Sequence, residues 1–224
     1  MTELLFAEQI KQATHVKVAN YIRKGILTGK WAFREHLNEK LVSEELGLSR
    51  GPVRDAIKQL HIEGLIEIPG NGRPYVVGFS DKSFADWCRI RTYLETLAIQ
   101  ESVEAGDSRA YHEMTEIVKA MESVAAAERE PYIWLDLYFH RRLVESSQNR
   151  ALCKLWETLS PCLYTLLELI AERYDTQKQI GMHQEILAHL QRGESRQAID
   201  CLTTHIQAGK QTVEQVVLFS SGRG

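Results

Sequence analysis

Long apolar runs are missing from this 224-residue chain. None reaches the roughly 18 residues a membrane helix needs, so no membrane-spanning helix is expected. The first residues show no basic, apolar and small-residue pattern of a secretory signal. Cysteine is scarce, four in all. Cys88, Cys153, Cys162 and Cys201 have no Cys-x-x-Cys spacing, so free thiols in a reducing cytosol are expected rather than a thiolate metal site or a disulfide framework. There is no internal repeat, no low-complexity tract, no phosphate-binding glycine loop, no nucleophile motif and no positioned general base. The expectation is a cytoplasmic protein that is not an enzyme and has no membrane partner. Only the ends, Met1–Ala13 and Ser220–Gly224, look loosely held.

Charge is uneven along the chain. The net charge is −3, but residues 1–79 carry 11 Lys and Arg against 9 Asp and Glu, and residues 80–224 carry 16 against 21. A mildly basic front and an acidic back suit a nucleic-acid reader joined to a separate module.

The densest local signal is Leu46–Arg73, LGLSRGPVRDAIKQLHIEGLIEIPGNGR. Leu41, Val42, Leu46 and Leu48 mark a short helix, with Gly47 as its C-terminal cap. Ser49 is placed to cap the next helix with its side chain, and Pro52 falls in the first turn, where a missing N–H costs little. Val53, Ile57 and Leu60 repeat at i, i+4 and i+7 and face a core. Arg50, Arg54 and Lys58 step along another face, and Gly64 ends the helix. Leu65–Ile68 and Tyr75–Val77 are β-prone runs around the turn residues Pro69–Pro74, which predicts a hairpin. Helix, turn, helix and hairpin make a winged helix–turn–helix. Arginine forks bind phosphate or a guanine edge in two-pronged fashion, and a helix N-terminus favours phosphate. Exposed arginines on a short helix are also an ordinary solvated face. The order of cap, proline, arginines and wing is what selects DNA binding.

On these residues, Ile22–Val77 resembles the DNA-binding domain of GntR-family bacterial transcription regulators. The match runs through Glu39, Leu41, Leu46, Gly47, Leu48, Ser49, Arg50, Pro52, Val53, Arg54, Ala56, Ile57, Leu60, Gly64 and Leu65. It departs at Trp31-Ala32-Phe33-Arg34, where the family carries a Pro-Gly turn, and at Gly51, where threonine is common. The resemblance implies DNA contacts from Lys40, Ser49, Arg50, Gly51, Arg54, Asn71, Gly72 and Arg73.

Past Val77 the β signals stop. Residues 1–78 are expected to form the DNA-binding domain, 79–83 a linker, and 84–219 an antiparallel all-α bundle of about six helices with 3.6-residue apolar spacing. The fold class is thus mainly α. The boundaries are read from Ser80 or Asp81 as the cap of the first helix, from Gly106-Asp107, from Pro131 in a first turn, from Asn149 as a cap and from Gly193 as a stop. Pro161 is expected to kink the fourth helix.

Asp136 and His140, four apart, share a helix face with Ile133, Leu137 and Leu143. His183 lies among Ile180, Ile186 and Leu187, and His205 beside Leu202 and Ile206. Three imidazoles and one carboxylate on core-facing stripes of three helices suit Zn²⁺, with Ni²⁺ or Mn²⁺ as alternatives, and leave coordination positions for a ligand's carboxylate. A histidine beside an apolar stripe is more often a hydrogen-bonded core residue than a ligand, so spacing alone leaves both readings open. His15, His36, His61, His112 and His189 have no such context.

The back half resembles the all-helical effector domain (FCD type) of the FadR-type branch of the same family, through Arg91-Thr-Tyr-Leu94-Glu95, Asp136-Leu-Tyr-Phe-His140 and the two later histidines. That resemblance implies a divalent metal on Asp136, His140, His183 and His205, and an organic carboxylate clamped by Arg91. It implies a homodimer on a pseudo-palindromic double-stranded DNA operator. A metal-dependent hydrolase using the same Asp/His set and a ligand-free architectural DNA binder are the alternatives.

Overall fold

A computed structural model describes residues 14–70, 72–124, 129–173 and 175–217. Asn71, Met1–Ala13 and Ser220–Gly224 lie outside them. The chain divides into a front unit that ends at Phe84, to which Val217 also belongs, and a helical unit, Ala85–Val216.

The front unit is a winged helix–turn–helix. Helices α1 (Thr14–Leu27), α2 (Glu39–Leu46) and α3 (Arg50–Ile62) precede strands β1 (Ile66–Glu67) and β2 (Tyr75–Val76). The strands pair antiparallel, Ile66 with Val76 and Glu67 with Tyr75. Val53, Ile57 and Leu60 are buried as their spacing predicts, against Val18, Ala19, Ile22 and Ile26 of α1. Leu41 and Leu48 are not core: they are 61% and 36% exposed. In an eight-residue helix only one side meets α3, and Val42 takes that side.

Asn38 supplies the cap of α2, its carboxamide oxygen accepting from the N–H groups of Lys40 and Leu41, and Gly47 closes the helix at φ +64°, where only glycine sits without strain. The turn at Trp31 has a local cause. The Trp31 ring lies on Gly25 so closely that a Cβ there would stand 2.2 Å from it. The Lys30 ammonium covers the same ring at 4.8 Å. An aromatic lid over a glycine thus occupies the place of the Pro-Gly turn.

The helical unit is built from α4 (Asp81–Ala105), α5 (Ser108–Val124), α6 (Arg129–Ser146), α7 (Arg150–Ile170), α8 (Thr176–Gln191) and α9 (Ser195–Val216), making nine helices among the described residues. Consecutive helices joined by short loops pack as α5 on α6, α6 on α7 and α8 on α9, and α5–α8 and α7–α9 contacts close the bundle. The core holds Met114, Phe139, Leu143, Trp156, Leu166, Ile186 and Leu202. Helix α7 runs unbroken through Pro161. Its start is capped by Asn149, which accepts from the N–H groups of Ala151 and Leu152.

The stretch expected as a linker is largely helix. Asp81–Ser83 form the first turn of α4, because Ser80 Oγ accepts from Ser83 N–H at 3.1 Å and the Ser80 N–H donates to Ser83 Oγ at 2.8 Å, a reciprocal cap. No helix among the described residues is long and apolar enough to cross a membrane, and all four cysteines are free thiols.

Candidate metal centre and nucleic-acid interface

On the front unit, the turn between α2 and α3 presents Ser49, Arg50 and Gly51 to solvent, with Arg54 one turn further on and Lys40 at the start of α2. Ser49 occupies the N-cap position in an extended conformation, but its side chain makes no capping bond. The hydroxyl therefore remains available to an outside partner, contrary to the expectation that it would be spent on the helix. A Cβ at Gly51 would meet only Ser49 Oγ, at 4.0 Å, so crowding does not explain the glycine. Arg54 is bonded to Glu39 of α2 at 3.1 Å, and Lys40 lies 3.6 Å from Glu44. At the wing, Gly72 has φ +72°, and Gly72 and Arg73 are exposed.

In the helical unit, α6, α8 and α9 bring Asp136, His140, His183 and His205 together. One ligand atom from each lies within 4.8 Å of all the others, and all four residues are buried. His140 Nε2 stands 2.9 Å from His205 Nε2 and 3.3 Å from His183 Nε2. His183 Nε2 is 3.4 Å from Asp136 Oδ1.

The outer nitrogens fix the protons. His183 Nδ1 lies 2.8 Å from the Gln179 carbonyl. A carbonyl can only accept, so Nδ1 carries the hydrogen and Nε2 a lone pair. His140 Nδ1 lies 2.6 Å from Glu95 Oε2 and donates to that carboxylate, which turns Nε2 toward His183 and His205; a neutral ring in that tautomer presents a lone pair there. Two lone pairs then face one space. His205 relieves one of them at most, and its own Nδ1 has no hydrogen-bond partner; nor has Asp136 Oδ1.

Burial pushes the His183 and His205 pKa values well below the imidazole range, and the nearby positive charge of Arg91 adds to this. Burial likewise raises Asp136. Neutral imidazoles with bare nitrogens and a carboxylate in need of a counter-charge form a cation's donor set. Two nitrogens bound to one ion at about 2.0–2.1 Å each stand roughly 3 Å apart, which is the spacing found.

Arg91 and Glu95 of α4 adjoin the cluster. Arg91 Nε donates to Glu95 Oε1 at 2.6 Å, and its guanidinium lies 5.7 Å from the centre of the Trp156 ring. Burial works against the Glu95 carboxylate, yet the Arg91 charge and the hydrogen bonds from His140 and Arg91 hold its pKa down at about 2. The sequence singled out Arg91 and treated Glu95 only as its local partner. The role of Gln179, whose carbonyl orients His183, had no sequence signal. Arg142 turns to Glu113 at 2.6 Å and to Glu145. An open cleft of about 300 Å³, lined by Cys88, Tyr93, Ile206 and Lys210 among others, shares no residue with the cluster. Burial raises the Cys88 thiol there to about 11, which leaves it unreactive.

Two family matches cover most of the chain: the FCD domain over residues 86–208 and the bacterial regulatory proteins of the gntR family over residues 14–76. The gluconate operon transcriptional repressor of Bacillus subtilis (strain 168) is 25% identical over 171 residues, 74% of this chain and 70% of that one. The Uxu operon transcriptional regulator of Escherichia coli (strain K12) is 26% identical over 194 residues, 77% and 76% of the two chains. Among solved structures, McbR/YncC of E. coli superposes with a TM-score of 0.67 at 20% identity, over 91% of this chain and 98% of that one. The relatives are transcription regulators, not enzymes, which sets the hydrolase alternative aside.

Proposed function

This chain belongs to the GntR family and carries an FCD domain, and from that premise we propose that it is a metal-dependent, ligand-responsive transcription regulator of the cytoplasm. It binds a pseudo-palindromic operator as a homodimer, each front unit taking one half-site. Arg50 and Arg54 read base edges, and Lys40, Ser49, Gly51, Gly72 and Arg73, with Asn71 outside the described residues, hold the backbone and the adjacent groove.

Asp136, His140, His183 and His205 hold one divalent ion in this reading. Zn²⁺ suits three imidazoles and a carboxylate, and Ni²⁺ or Mn²⁺ suits them too. The ion supplies the positive charge that the buried carboxylate lacks and a coordination position for an incoming anion. Arg91 clamps that anion, a small organic carboxylate. One relative is named for the gluconate operon, and a sugar acid is the effector class this favours. The observation that carries the proposal is the convergence of the His140, His183 and His205 Nε2 atoms and Asp136 Oδ1 in a place with almost no exposure to water. Ligand shifts the DNA-bound population only through different affinities for the two arrangements of the dimer.

The test is the melting temperature across a panel of sugar acids and small carboxylates, before and after metal stripping. A ligand that binds only the folded state adds about 2.7 kcal/mol at a hundredfold excess over its Kd. A shift confined to metal-loaded protein is the expected result. No shift with any compound in loaded protein leaves the architectural DNA binder as the better reading.

A further inference from the structure

We propose that Glu95 is a positioning residue that couples the Arg91 guanidinium to the ion site through His140, so that an anion at Arg91 and an ion on the cluster strengthen each other. The inference rests on the metal reading above and deepens it. Glu95 is 0% exposed, and each of its oxygens serves a different partner: Oε1 accepts from Arg91 Nε, Oε2 from His140 Nδ1, both at 2.6 Å. One negative charge is therefore shared between a permanent cation and a metal-facing imidazole.

The sharing has two effects. Donation from Nδ1 to a carboxylate fixes the His140 tautomer with Nε2 toward His183 and His205, and it makes that imidazole a stronger donor to a metal. Arg91 draws on the same carboxylate and weakens this support. An anion seated on Arg91 takes up part of its charge and returns Glu95 to His140, so ion affinity rises. By reciprocity the bound ion raises anion affinity by the same factor. A pair that merely braced α4 would lack this sign.

The experiment compares Zn²⁺ affinity, by competition with a chromogenic chelator, in metal-stripped full-length wild type, Glu95→Gln, Arg91→Met and the double variant. Glu95→Gln should weaken Zn²⁺ binding by about 10- to 100-fold, whereas Arg91→Met should tighten it. In the Glu95→Gln background Arg91→Met should change little, the mark of two residues acting in one chain. Weakening in both single variants is the bracing result and overturns the proposal, as does unaltered affinity in Glu95→Gln. A metal-free readout stands beside these: nitrogen-15 shifts of His140 in stripped wild type should show a protonated Nδ1 and a bare Nε2. The opposite tautomer overturns the proposal even if Glu95→Gln fails to fold. Wild type that takes up no Zn²⁺ overturns the metal reading itself, a result distinct from loss of the Glu95 effect alone.

Discussion

The front unit buries Arg23 against Glu63, and the helical unit buries Asp136 among three histidines. The first constellation is closed. Arg23 Nε and one terminal nitrogen bond both Glu63 oxygens at 2.8 and 2.6 Å, and its other terminal nitrogen bonds Asn20. Gln59 adds a fourth bond, to Glu63. The second is open: Asp136 Oδ1 and His205 Nδ1 have no hydrogen-bond partner, and imidazole Nε2 atoms converge on one space. Buried charge that is fully satisfied braces helices, here α1 against the C-terminal end of α3. Buried charge left unsatisfied needs a group from outside the chain to complete it.

Breaking the closed constellation should have the larger effect on stability. Glu63→Ala strands a guanidinium at 0% exposure and should destabilise the front unit by about 3–5 kcal/mol. The denaturation midpoint should fall equally in stripped and Zn²⁺-loaded protein. Arg23→Met with Glu63→Met should recover much of the loss, since apolar replacement removes both charges together. A loss under about 1 kcal/mol in Glu63→Ala would mean that Arg23 finds water or another partner, and the comparison would collapse.

The open constellation should respond with the opposite dependence on metal. Asp136→Asn keeps the shape and removes a carboxylate whose protonation burial favours. Stripped Asp136→Asn protein should melt no lower than stripped wild type. The stabilisation that Zn²⁺ gives wild type, about 2.7 kcal/mol at a hundredfold excess over Kd, should be mostly absent from the variant. Equal Zn²⁺-induced shifts in the two proteins would remove Asp136 from the ligand set.

The two units were not equally legible in the sequence. The helix–turn–helix is a local pattern, so Gly47, Val53, Ile57, Leu60 and the wing turn could be placed from spacing alone. Spacing alone could not say which of the apolar marks of the short helix turns inward: Val42 is buried, while Leu41 on the same helix and Leu48 just past its cap are exposed. The cluster is non-local. Spacing put Asp136 and His140 on one face, but the meeting of that face with His183 and His205 depends on how three helices pack. The family pattern, not the spacing, brought those residues together on paper. Glu95 was legible only as the i+4 partner of Arg91, because its second oxygen serves a residue 45 positions away. The start of α4 was legible as a cap at Ser80 or Asp81; what the short polar run hid is that Ser83 reciprocates, so that the cap uses two side chains.

The exposed face of the front unit gives the smallest effects on stability, and its tests separate reading from holding. Arg54 and Glu39 form an ion pair with side chains 58% and 28% exposed, which adds little to stability. Arg54→Ala should therefore melt as wild type does and yet lose roughly 5- to 150-fold in affinity for an operator selected from a randomised duplex pool, with relaxed preference at one base pair. Arg54→Lys should not restore that preference, since an ammonium lacks the planar fork.

Lys40 should behave differently although it is equally exposed and equally cationic. Its neighbour Glu44 stands at 3.6 Å, too loose to hold it in one pose, and its place at the start of α2 suits a phosphate rather than a base. A phosphate contact releases a counterion without reading sequence. Lys40→Ala should weaken binding to operator and to mixed-sequence DNA by the same factor and lower the slope of log affinity against log salt by about 1. A selective loss for operator would make Lys40 a base reader. An unchanged slope would remove it from the interface.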